Sequence, residues 1–381
     1  MRVMISCGEA SGDLYAGALA TEIRALDSSA TVLGFGGDRL RAAGARLIGD
    51  YHKFAVTGIT EALSVVPRSI AMYRQLLATA RDERPEVFVA IDFPDFNLRL
   101  ASAVHRLGIP VVYYVTPQLW AWRKGRVRTL RRIAERLLVI FPFEPAFYRS
   151  AGVDVEFVGH PLVDLAVARE PREPFLRALG LDPSKPTVAL LPGSRRNELQ
   201  AIVPAMSGAL GLIAQALPSV QFVIARASNL AIDAFDVLRT GVDRSIAIVE
   251  GRADDVLAAA DVAITASGTA TVQAAIHECP MVIVYRLSPL TYRLGKPFVH
   301  VDTYGMANLV AGERIVPELI QDDLTPESVA RETLAFLQDP ERLQQTKARL
   351  RDVRARLGKP GVSRRVAERV LEVAVAARPQ A

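Results

Sequence analysis

The sequence predicts an α/β protein made of two doubly wound parallel sheets. Short apolar strands alternate with helical patterns over residues 1–165, and the alternation resumes at residue 187. Such alternation is typical of parallel sheets covered by helices on both faces. Between the two series, residues 166–187 hold four prolines among charged residues, the composition of a linker with a short helix. Two Rossmann-like halves joined in this way predict two domains facing each other across a cleft.

Apolar runs bounded by turn residues predict the strands, with helical stretches such as residues 13–26 and 97–107 between them. The predicted strands are residues 2–7, 31–35, 87–91, 111–115, 136–140 and 155–158, then 187–191, 221–225, 246–249, 262–265 and 281–285. The tail at 340–377 is helical and basic, and Gly358, Pro360 and Gly361 divide it into two helices. We predict domains at residues 1–165 and 166–361, with a last helix near 362–378 packing back on the first.

The composition narrows the classes of function. With 381 residues, 50% of them apolar, the chain has room for two well-packed domains. The net charge of +5 favours anionic partners, but no zinc-finger or RNA-binding signature points to nucleic acid. No apolar run approaches the roughly 18 residues of a membrane helix, and the N-terminus lacks a signal-peptide pattern. A cytoplasmic protein is expected.

The spacing of the potential metal ligands predicts no metal and no cofactor. The two cysteines, Cys7 and Cys279, lie far apart in the sequence, and the five histidines are scattered. No Asp-x-Asp sequence is present, which weakens the case for a metal held by carboxylates.

The chain is organised around residues 87–97, VFVAIDFPDFN. The unbroken apolar run at 87–91 is typical of a strand buried on both faces of a parallel sheet. Asp92 comes where that strand ends, and Asp95 follows in a turn containing Pro94. Ligands of open α/β sheets bind beyond the carboxyl ends of the strands, so Asp92 is placed to act as a general base. The alternative is that Asp92 only caps the helix that follows.

The loop GEASGD at 8–13 follows the first strand and opens a helix. Its glycines let the backbone approach a ligand, and the helix N-terminus offers free N–H groups. Carboxylates at Glu9 and Asp13 suit sugar hydroxyls better than a bare phosphate. Capping of the helix by Ser11 or Asp13 is the structural alternative. The loop is not the dinucleotide-binding G-x-G-x-x-G pattern, which argues against a nicotinamide cofactor.

Two loops of the second half have the composition of anion sites. Gly193, Ser194 and Arg195 follow a strand and offer backbone access, a hydroxyl and a guanidinium for phosphate oxygens. The stretch ASGTAT at 266–271, with Ser267, Gly268, Thr269 and Ala270, follows another strand and opens a helix. Either loop alone is explained by a structural turn or close helix packing. Together they indicate a nucleotide diphosphate site.

A basic segment follows the strand at 111–115. The stretch TPQLWAWR at 116–123 contains both tryptophans, and six of the ten residues at 123–132 are basic. A solvated helix face explains such a run equally well, but the adjacent tryptophans favour sugar stacking or a membrane interface.

Nine stretches together resemble the lipid-A-disaccharide synthase family, in family order and across nearly the whole chain. They are GEASGD (8–13), IDFPDFN (91–97), TPQLWAWR (116–123), FPFE (141–144), FVGHPL (157–162), LLPGSRRNE (190–198), ASGTAT (266–271), CPMVIVYR (279–286) and NLVAGERIVPELIQ (308–321). The resemblance implies a GT-B fold and a metal-independent, inverting glycosyl transfer. The implied donor is UDP-2,3-diacylglucosamine, the acceptor is 2,3-diacylglucosamine 1-phosphate, and the products are the β-1,6-linked disaccharide 1-phosphate and UDP.

The resemblance also implies roles for single residues. Asp92 corresponds to the general base, Glu9 and Ser11 to the N-terminal side of the site, and Arg195 and Asn308 to donor contacts. The family usually has Glu where this chain has Gln273, and in related glycosyltransferases that Glu accepts hydrogen bonds from the ribose hydroxyls. An amide oxygen accepts them without charge assistance, so Gln273→Glu is expected to tighten UDP binding.

Other functions remain open from the sequence. One is a UDP-sugar epimerase or a different UDP-glycosyltransferase on the same fold. Another is a non-catalytic UDP-sugar sensor docked on membranes, although the acids Glu9 and Asp92 argue against it. The apolar stretch at 59–77, broken at Pro67, fits either a lipid acceptor or ordinary core packing. An anionic membrane surface is an expected partner, and a homodimer is possible.

Overall fold

The computed structural model describes residues 1–54, 59–119, 126–240, 246–287 and 303–377 of the chain. The chain divides into two compact units. The first comprises Met1–Asp164 and Leu357–Ala381, and the second comprises Leu165–Arg356. Each unit contains a parallel sheet with intervening helices, which confirms the predicted fold class of two Rossmann-like parallel-sheet domains.

In the first unit, the strands are Arg2–Cys7 (β1), Thr31–Gly36 (β2), Arg46–Asp50 (β3), Val87–Ile91 (β4), Val111–Tyr114 (β5), Arg136–Val139 (β6) and Glu156–Phe157 (β7). The described residues of this unit form one sheet in the order β3-β2-β1-β4-β5-β6-β7, and each neighbouring pair is parallel. Its first helices are Ala10–Leu26 (α1), Asp38–Ala42 (α2), Ile59–Glu83 (α3), Pro94–His105 (α4), Val127–Ile133 (α5) and Glu144–Ser150 (α6). A 3₁₀ turn lies at Tyr51–Phe54.

The short helix Leu162–Leu165 (α7) leads into the second unit. The strands that follow are Thr187–Leu191 (β8), Gln221–Arg226 (β9), Ala247–Glu250 (β10), Val262–Ala266 (β11), Met281–Tyr285 (β12) and Glu318–Ile320 (β13). They form a parallel sheet in the order β10-β9-β8-β11-β12-β13 within the described residues.

The helices of the second unit are Arg172–Ala178 (α8), Arg196–Ala216 (α9), Asp236–Thr240 (α10), Ala253–Ala259 (α11), Thr269–Ile276 (α12), Met306–Ala311 (α13), Pro326–Leu337 (α14) and Pro340–Arg356 (α15). The chain then returns to the first unit as Val362–Ala376 (α16), which packs against α1. Two 3₁₀ turns lie at Ile232–Phe235 and Gln321–Asp323.

The core of each unit forms around its central strands. Every residue of β4 and of β8 is buried, at 0% exposure throughout β4, as a strand covered on both faces requires. Helix α9 is long and apolar enough to cross a membrane, but half of its most apolar window is buried inside the second unit. Ile202, Met206 and Ile213 on this helix are fully buried, which identifies it as a core helix.

Several predicted boundaries were wrong. The edge strands β3 and β13 were missed because they are short and carry charged residues. Helix α3 continues through Pro67 instead of breaking there: proline removes one backbone donor, and the rest of this 25-residue helix still packs through Leu76 and Ala80. Helix α4 begins at Pro94, three residues before the predicted start, because proline is well suited to the first helical turn.

The return to the first unit comes at Leu357 and not after residue 361. The His160 N–H donates to the Leu357 carbonyl at 2.8 Å, and a Cβ on Gly358 would lie 2.9 Å from the Gly159 Cα. The Asp164 carboxylate then accepts the N–H groups of Gly361 and Val362 at 2.7 and 2.6 Å, at the start of α16.

Candidate functional site

Each sheet has a point at which the strand order reverses, and the predicted loops lie at those points. In the first unit the order reverses between β1 and β4, which are followed by the loop of Glu9 and the turn of Asp92. In the second unit it reverses between β8 and β11, which are followed by the loops of Arg195 and Ser267. Ligands of open α/β sheets bind outside the carboxyl ends of the strands at such switch points. Each of these two switch points is therefore a candidate binding site.

The turn after β4 is strained. Asp92 and Phe93 have φ values of 45° and 50°, and Val115, at the end of the neighbouring β5, has a φ of 57°. A left-handed backbone is uncommon for residues other than glycine and exceptional for bulky or β-branched ones. Strain of this kind costs about 1–3 kcal/mol per residue and is concentrated at functional sites. The strained turn places Asp92 at the carboxyl end of β4, at the switch point of the first sheet, which makes it a candidate site residue.

A buried asparagine holds this turn in place. The side chain of Asn97 is fully buried, and its Nδ2 lies 2.9 Å from the Asp92 carbonyl oxygen, 3.1 Å from that of Ile91 and 3.0 Å from that of Ser6. The Ser6 hydroxyl donates to Asn97 Oδ1 at 2.7 Å. The Tyr113 hydroxyl also donates to the Asp92 carbonyl oxygen, at 3.1 Å. These contacts position the Asp92 backbone without using its carboxylate.

The roles of Asn97 and Tyr113 were not predicted. Asn97 is the last letter of IDFPDFN and lies in the first turns of α4, where a fully buried polar side chain is itself a signal of a structural contact.

The loop of Glu9 packs directly on the strained turn. A Cβ on Gly8 would lie 2.4 Å from atoms of the Phe93 ring, so only glycine allows this approach. Glu9 is the N-cap residue of α1, and its side chain is exposed. Its carbonyl oxygen accepts the Asp13 N–H at 2.8 Å, while Ser11 lies half-buried in the first helical turn. The structure thus brings Glu9 and Ser11 to the same switch point as Asp92.

Asp13 has a structural role instead of the predicted contact with sugar hydroxyls. Its side chain is 2% exposed. The carboxylate accepts the N–H groups of Gly37, Arg39 and Leu40 at 2.7, 2.9 and 3.2 Å, at the start of α2. These donors are the ones that a short helix leaves unsatisfied, so Asp13 acts as the cap of α2.

Three neutral groups are buried in the first unit, and the charge of Asp92 reaches two of them. Burial, and secondarily the charge of Asp92, raises the pKa of both Tyr15 and Tyr113. Burial lowers the pKa of His160 to about 3, and its Nδ1 accepts the Leu162 N–H at 3.2 Å. The rings of His160 and Tyr15 meet edge to face, with centroids 6.1 Å apart. At neutral pH these three residues are uncharged, so none of them serves as an anionic base or a cation.

The motifs TPQLWAWR and FPFE meet at the ends of β5 and β6. Glu144 is buried and accepts the N–H groups of Ile140 and Phe141 at 3.1 and 2.9 Å, and the Thr116 hydroxyl lies 3.4 Å from its other oxygen. This glutamate is structural. The predicted aromatic and basic residues Trp120, Trp122 and Arg123 lie outside the described residues.

We expect Tyr113→Phe to destabilise the first unit by about 1 kcal/mol, the usual net value of one hydrogen bond. The loss is limited because the Asp92 carbonyl keeps its bond from Asn97. Turnover should fall only a few-fold, since the Asp92 carboxylate is retained. Chemical denaturation and steady-state turnover would check both values. Tyr114→Phe, on the opposite face of the same strand, is the control, and equal turnover losses in the two variants would contradict the role given to Tyr113.

In the second unit, the loops after β8 and β11 lie side by side. Gly193 has a φ of 113°, and a Cβ there would lie 2.7 Å from Glu198 Oε2 and 3.7 Å from the Ala266 Cβ. Arg195 is the N-cap residue of α9. Its side chain is 56% exposed, and its guanidinium lies 3.3 Å from the Glu198 carboxylate. The Ser194 carbonyl accepts a hydrogen bond from Asn229 at 2.9 Å. Arg195 is therefore accessible and is supported from one side by Glu198.

Two hydroxyls of the loop after β11 are used within the protein. The Ser267 hydroxyl donates to the Tyr304 carbonyl at 3.1 Å, and the Thr271 hydroxyl donates to the Gly268 carbonyl at 2.8 Å. Gly268 has a φ of 148° with open space where a Cβ would lie. Thr269 and Ala270 are the first residues of α12. What the loop offers a ligand is therefore its backbone N–H groups and the exposed Thr269 more than the hydroxyls of Ser267 and Thr271.

Asn308 is not placed for the predicted donor contact. It is fully buried, and its amide nitrogen donates to the Val316 carbonyl at 2.9 Å and to the Glu318 carboxylate at 2.7 Å. Its carbonyl oxygen accepts the N–H groups of Ile315 and Val316 at 2.9 and 3.0 Å. All four hydrogen-bonding positions of the amide are used within the protein.

Glu318 links Asn308 to the loop after β11. Its carboxylate also accepts the N–H groups of Tyr304 and Gly305, at 2.8 and 2.9 Å, and the Tyr304 carbonyl in turn holds Ser267. Asn308 and Glu318 are therefore positioning residues for the Ser267 loop. Glu318 was not predicted as a site residue, although it lies within the stretch NLVAGERIVPELIQ.

Potential metal ligands are not clustered in the described parts of the chain, where no group of three or more His, Cys, Asp or Glu side chains is arranged to hold a metal ion. Cys7 and Cys279 are both buried free thiols.

Comparison with known proteins decides the family. The family model described as lipid-A-disaccharide synthetase matches residues 3–372. The chain belongs to the lipid-A-disaccharide synthetase family. The lipid-A-disaccharide synthases of Geobacter sulfurreducens and Geobacter metallireducens are each 42% identical to it, over 98% of this chain and 97% of their own. It is thus an enzyme, a glycosyltransferase of lipid A biosynthesis, as its sequence motifs predicted.

Solved structures share the fold at low sequence identity. The UDP-GlcNAc 2-epimerase from Neisseria meningitidis aligns with a TM-score of 0.71 at 12% identity, covering 98% of this chain and all of the epimerase. The calicheamicin glycosyltransferase CalG4 aligns with a TM-score of 0.61 at 17% identity, covering 99% of each chain. The predicted GT-B class of two parallel-sheet domains is confirmed.

Gln273, where the resemblance implies a glutamate, contacts a residue that was not predicted for the site. Gln273 lies on α12, and its Nε2 donates to Asp254 Oδ1 at 3.0 Å. His277 Nε2 lies 3.0 Å from the same oxygen. Neither Asp254 nor His277 was predicted as a site residue.

Proposed function

We propose that this lipid-A-disaccharide synthetase family member transfers 2,3-diacylglucosamine from its UDP derivative to 2,3-diacylglucosamine 1-phosphate. The products are the β-1,6-linked disaccharide 1-phosphate and UDP, with inversion at the anomeric carbon. Family membership supports a glycosyl transfer in lipid A synthesis. The observation that carries the detailed proposal is the strained turn that presents Asp92 at the switch point of the first sheet.

Asp92 is the proposed general base. Its carboxylate takes the proton from the 6-hydroxyl of the acceptor while that oxygen forms a bond to the anomeric carbon. The bond from this carbon to the diphosphate oxygen breaks, and UDP leaves with the bonding electrons. Attack from the face opposite the leaving group gives the inverted β linkage. Tyr15 and Tyr113, which the charge of Asp92 reaches, stay protonated at neutral pH and offer no anionic base beside it. Glu9, on the adjoining loop, is the second candidate for a catalytic acid.

The second unit is proposed to bind the UDP part of the donor. Arg195 and the backbone of Gly193 and Ser194 adjoin the N-terminus of α12, with the loop of Ser267, Gly268, Thr269 and Ala270 before it. A guanidinium and free helix N–H groups stabilise the negative charge that grows on a departing diphosphate. No metal is required by this arrangement.

The reaction is tested by incubating the protein with radiolabelled donor and acylated acceptor and resolving the products by mass. The proposal requires a labelled disaccharide 1-phosphate and an equal amount of UDP. UDP release without the disaccharide would identify a hydrolase, and binding without turnover would identify a sensor.

We also propose that the protein binds the inner face of the cytoplasmic membrane peripherally. Arg128, Arg131 and Arg132 on α5 are exposed, and the structure places no carboxylate of the described residues within ion-pair distance of them. Each basic residue near an anionic surface contributes about 1 kcal/mol, screened within a Debye length. We therefore expect the protein to sediment with anionic vesicles and to be released as salt rises.

The matched test replaces these three arginines by alanine. Vesicle binding at low salt should weaken by one to two orders of magnitude, about 3 kcal/mol at most. The control replaces Arg177, Lys185 and Arg331 of the second unit by alanine, which removes the same total charge. Equal sedimentation of the unmodified protein with neutral and anionic vesicles would refute the electrostatic attachment.

A further inference from the structure

An aspartate, a glutamine and a histidine meet beside the proposed nucleotide site of the second unit. Asp254 lies in the first turn of α11, Gln273 lies in the middle of α12, and His277, one turn further on, is the C-cap residue of α12. Asp254 Oδ1 is 3.0 Å from both Gln273 Nε2 and His277 Nε2. The side chains of Asp254 and His277 are 23% and 10% exposed. This carboxylate connects two helices that start at the carboxyl edge of the sheet.

The contact determines which way the Gln273 amide faces. A carboxylate accepts hydrogen bonds but does not donate them, so Asp254 can hold only the NH₂ end of the amide. The Gln273 carbonyl oxygen is therefore directed away from Asp254. Without such a partner, an amide can turn either end towards a ligand.

We propose that Asp254 is a positioning residue for nucleotide recognition, which presents the Gln273 carbonyl oxygen as the acceptor for a ribose hydroxyl of the donor. The inference rests on the proposed binding of a UDP-sugar by this unit. His277 Nε2 lies 3.0 Å from the same Asp254 oxygen and gives the carboxylate a second contact.

The same contact changes what a glutamate would do at position 273. From the sequence alone, Gln273→Glu is expected to tighten UDP binding. In this chain the new carboxylate would face the Asp254 carboxylate at hydrogen-bond distance, and like charges so close repel strongly. Gln273→Glu should therefore weaken UDP binding as long as Asp254 is present.

Asp254 could instead only connect α11 to α12. In that case its replacement would change the thermal stability of the protein but not the preference for ligands that carry ribose hydroxyls. The informative quantity is therefore the ratio of dissociation constants for UDP and 2′,3′-dideoxy-UDP.

The experiment measures both ligands by calorimetry on the unmodified protein, Asp254→Asn, Gln273→Glu and the double variant. Unmodified protein should bind UDP about fivefold more tightly than the dideoxy form, the value of one hydrogen bond. Asp254→Asn should lose most of this preference, because an amide at position 254 can pair with either end of Gln273. Gln273→Glu should weaken UDP binding about five- to tenfold.

The double variant gives the decisive result. The amide introduced at position 254 can donate to the carboxylate introduced at position 273, so UDP binding should return at least to the unmodified value, with a stronger preference over dideoxy-UDP. The effect of Gln273→Glu thus changes sign with the residue at position 254. The control is Asp233→Asn, which makes the same change of charge at an exposed position. It should leave the ratio of the dissociation constants for UDP and dideoxy-UDP unchanged.

Two failures are distinguishable. If the unmodified protein binds no UDP, the proposed function of this unit fails and the inference fails with it. If UDP binds but Gln273→Glu has the same effect with Asp or Asn at position 254, or all proteins discriminate equally between UDP and dideoxy-UDP, only the role of Asp254 is overturned.

Thermal unfolding identifies variants that do not fold. Should Gln273→Glu be one of them, Asp254→Ser alone tests the inference: loss of the preference supports it, and an unchanged preference overturns it.

Discussion

Asp92→Asn is expected to lower turnover by about 10²- to 10⁴-fold, the usual contribution of a general base. Asparagine keeps the size of the side chain but cannot accept the proton of the acceptor hydroxyl. The contacts that hold the turn go to the Asp92 backbone, from Asn97 and Tyr113, and they survive the change. UDP affinity should remain near that of the unmodified protein, because the proposed UDP contacts belong to the second unit.

Asp95→Asn is the matched control, three residues further on in the first turn of α4. Asp95 pairs with Arg126 at 2.7 Å and is more exposed than the strained turn before it. Its replacement should cost little turnover. If Asp92→Asn retained turnover within threefold of the unmodified protein, Asp92 would not be the base, and Asp95 and Glu9 would be the next candidates.

Arg195→Ala should weaken UDP binding and reduce turnover together. A hydrogen bond to a charged group contributes on the order of 1.5–3 kcal/mol, which corresponds to about 10- to 150-fold in the dissociation constant. Turnover should also fall, because the guanidinium stabilises the charge that grows on the leaving diphosphate. Removing Arg195 also leaves Glu198 without its 3.3 Å partner, beside the site of an anionic ligand.

Arg196→Ala provides the control for charge. Arg196 is the next residue, the first of α9, and is also exposed. Arg196→Ala lowers the net charge by the same amount as Arg195→Ala but keeps the guanidinium of the N-cap residue Arg195. An unchanged UDP dissociation constant in Arg195→Ala, measured by calorimetry, would show that this arginine does not contact the nucleotide.

The sequence predicted the central elements of the fold because burial dictates their composition. A strand covered on both faces must be apolar throughout, which makes the runs at Val87–Ile91 and Thr187–Leu191 conspicuous. The edge strands Arg46–Asp50 and Glu318–Ile320 are under no such constraint, and their mixed composition resembles a loop.

The positions of the candidate loops were predicted as far as strand-end patterns allow. The loops of Gly8, Gly193 and Gly268 and the turn of Asp92 lie at strand ends, as predicted, because local sequence determines where buried strands end. What each polar side chain contacts depends on residues far away in the chain. Asp13 caps a helix 24 residues further on, and Asn308 is satisfied by the segment around Val316. The role of Asp254 emerges only when α11 and α12 are packed together.

The anomeric configuration of the product tests the central proposal most directly. The protein would be incubated with UDP-2,3-diacylglucosamine and 2,3-diacylglucosamine 1-phosphate, and the coupling constant of the new anomeric proton measured by NMR. Inverting transfer with Asp92 as base predicts a β-1,6-linked disaccharide 1-phosphate, with the large coupling of a β-glucosaminide, and its loss in Asp92→Asn. An α-linked product, or the β product formed equally well by Asp92→Asn, would contradict it.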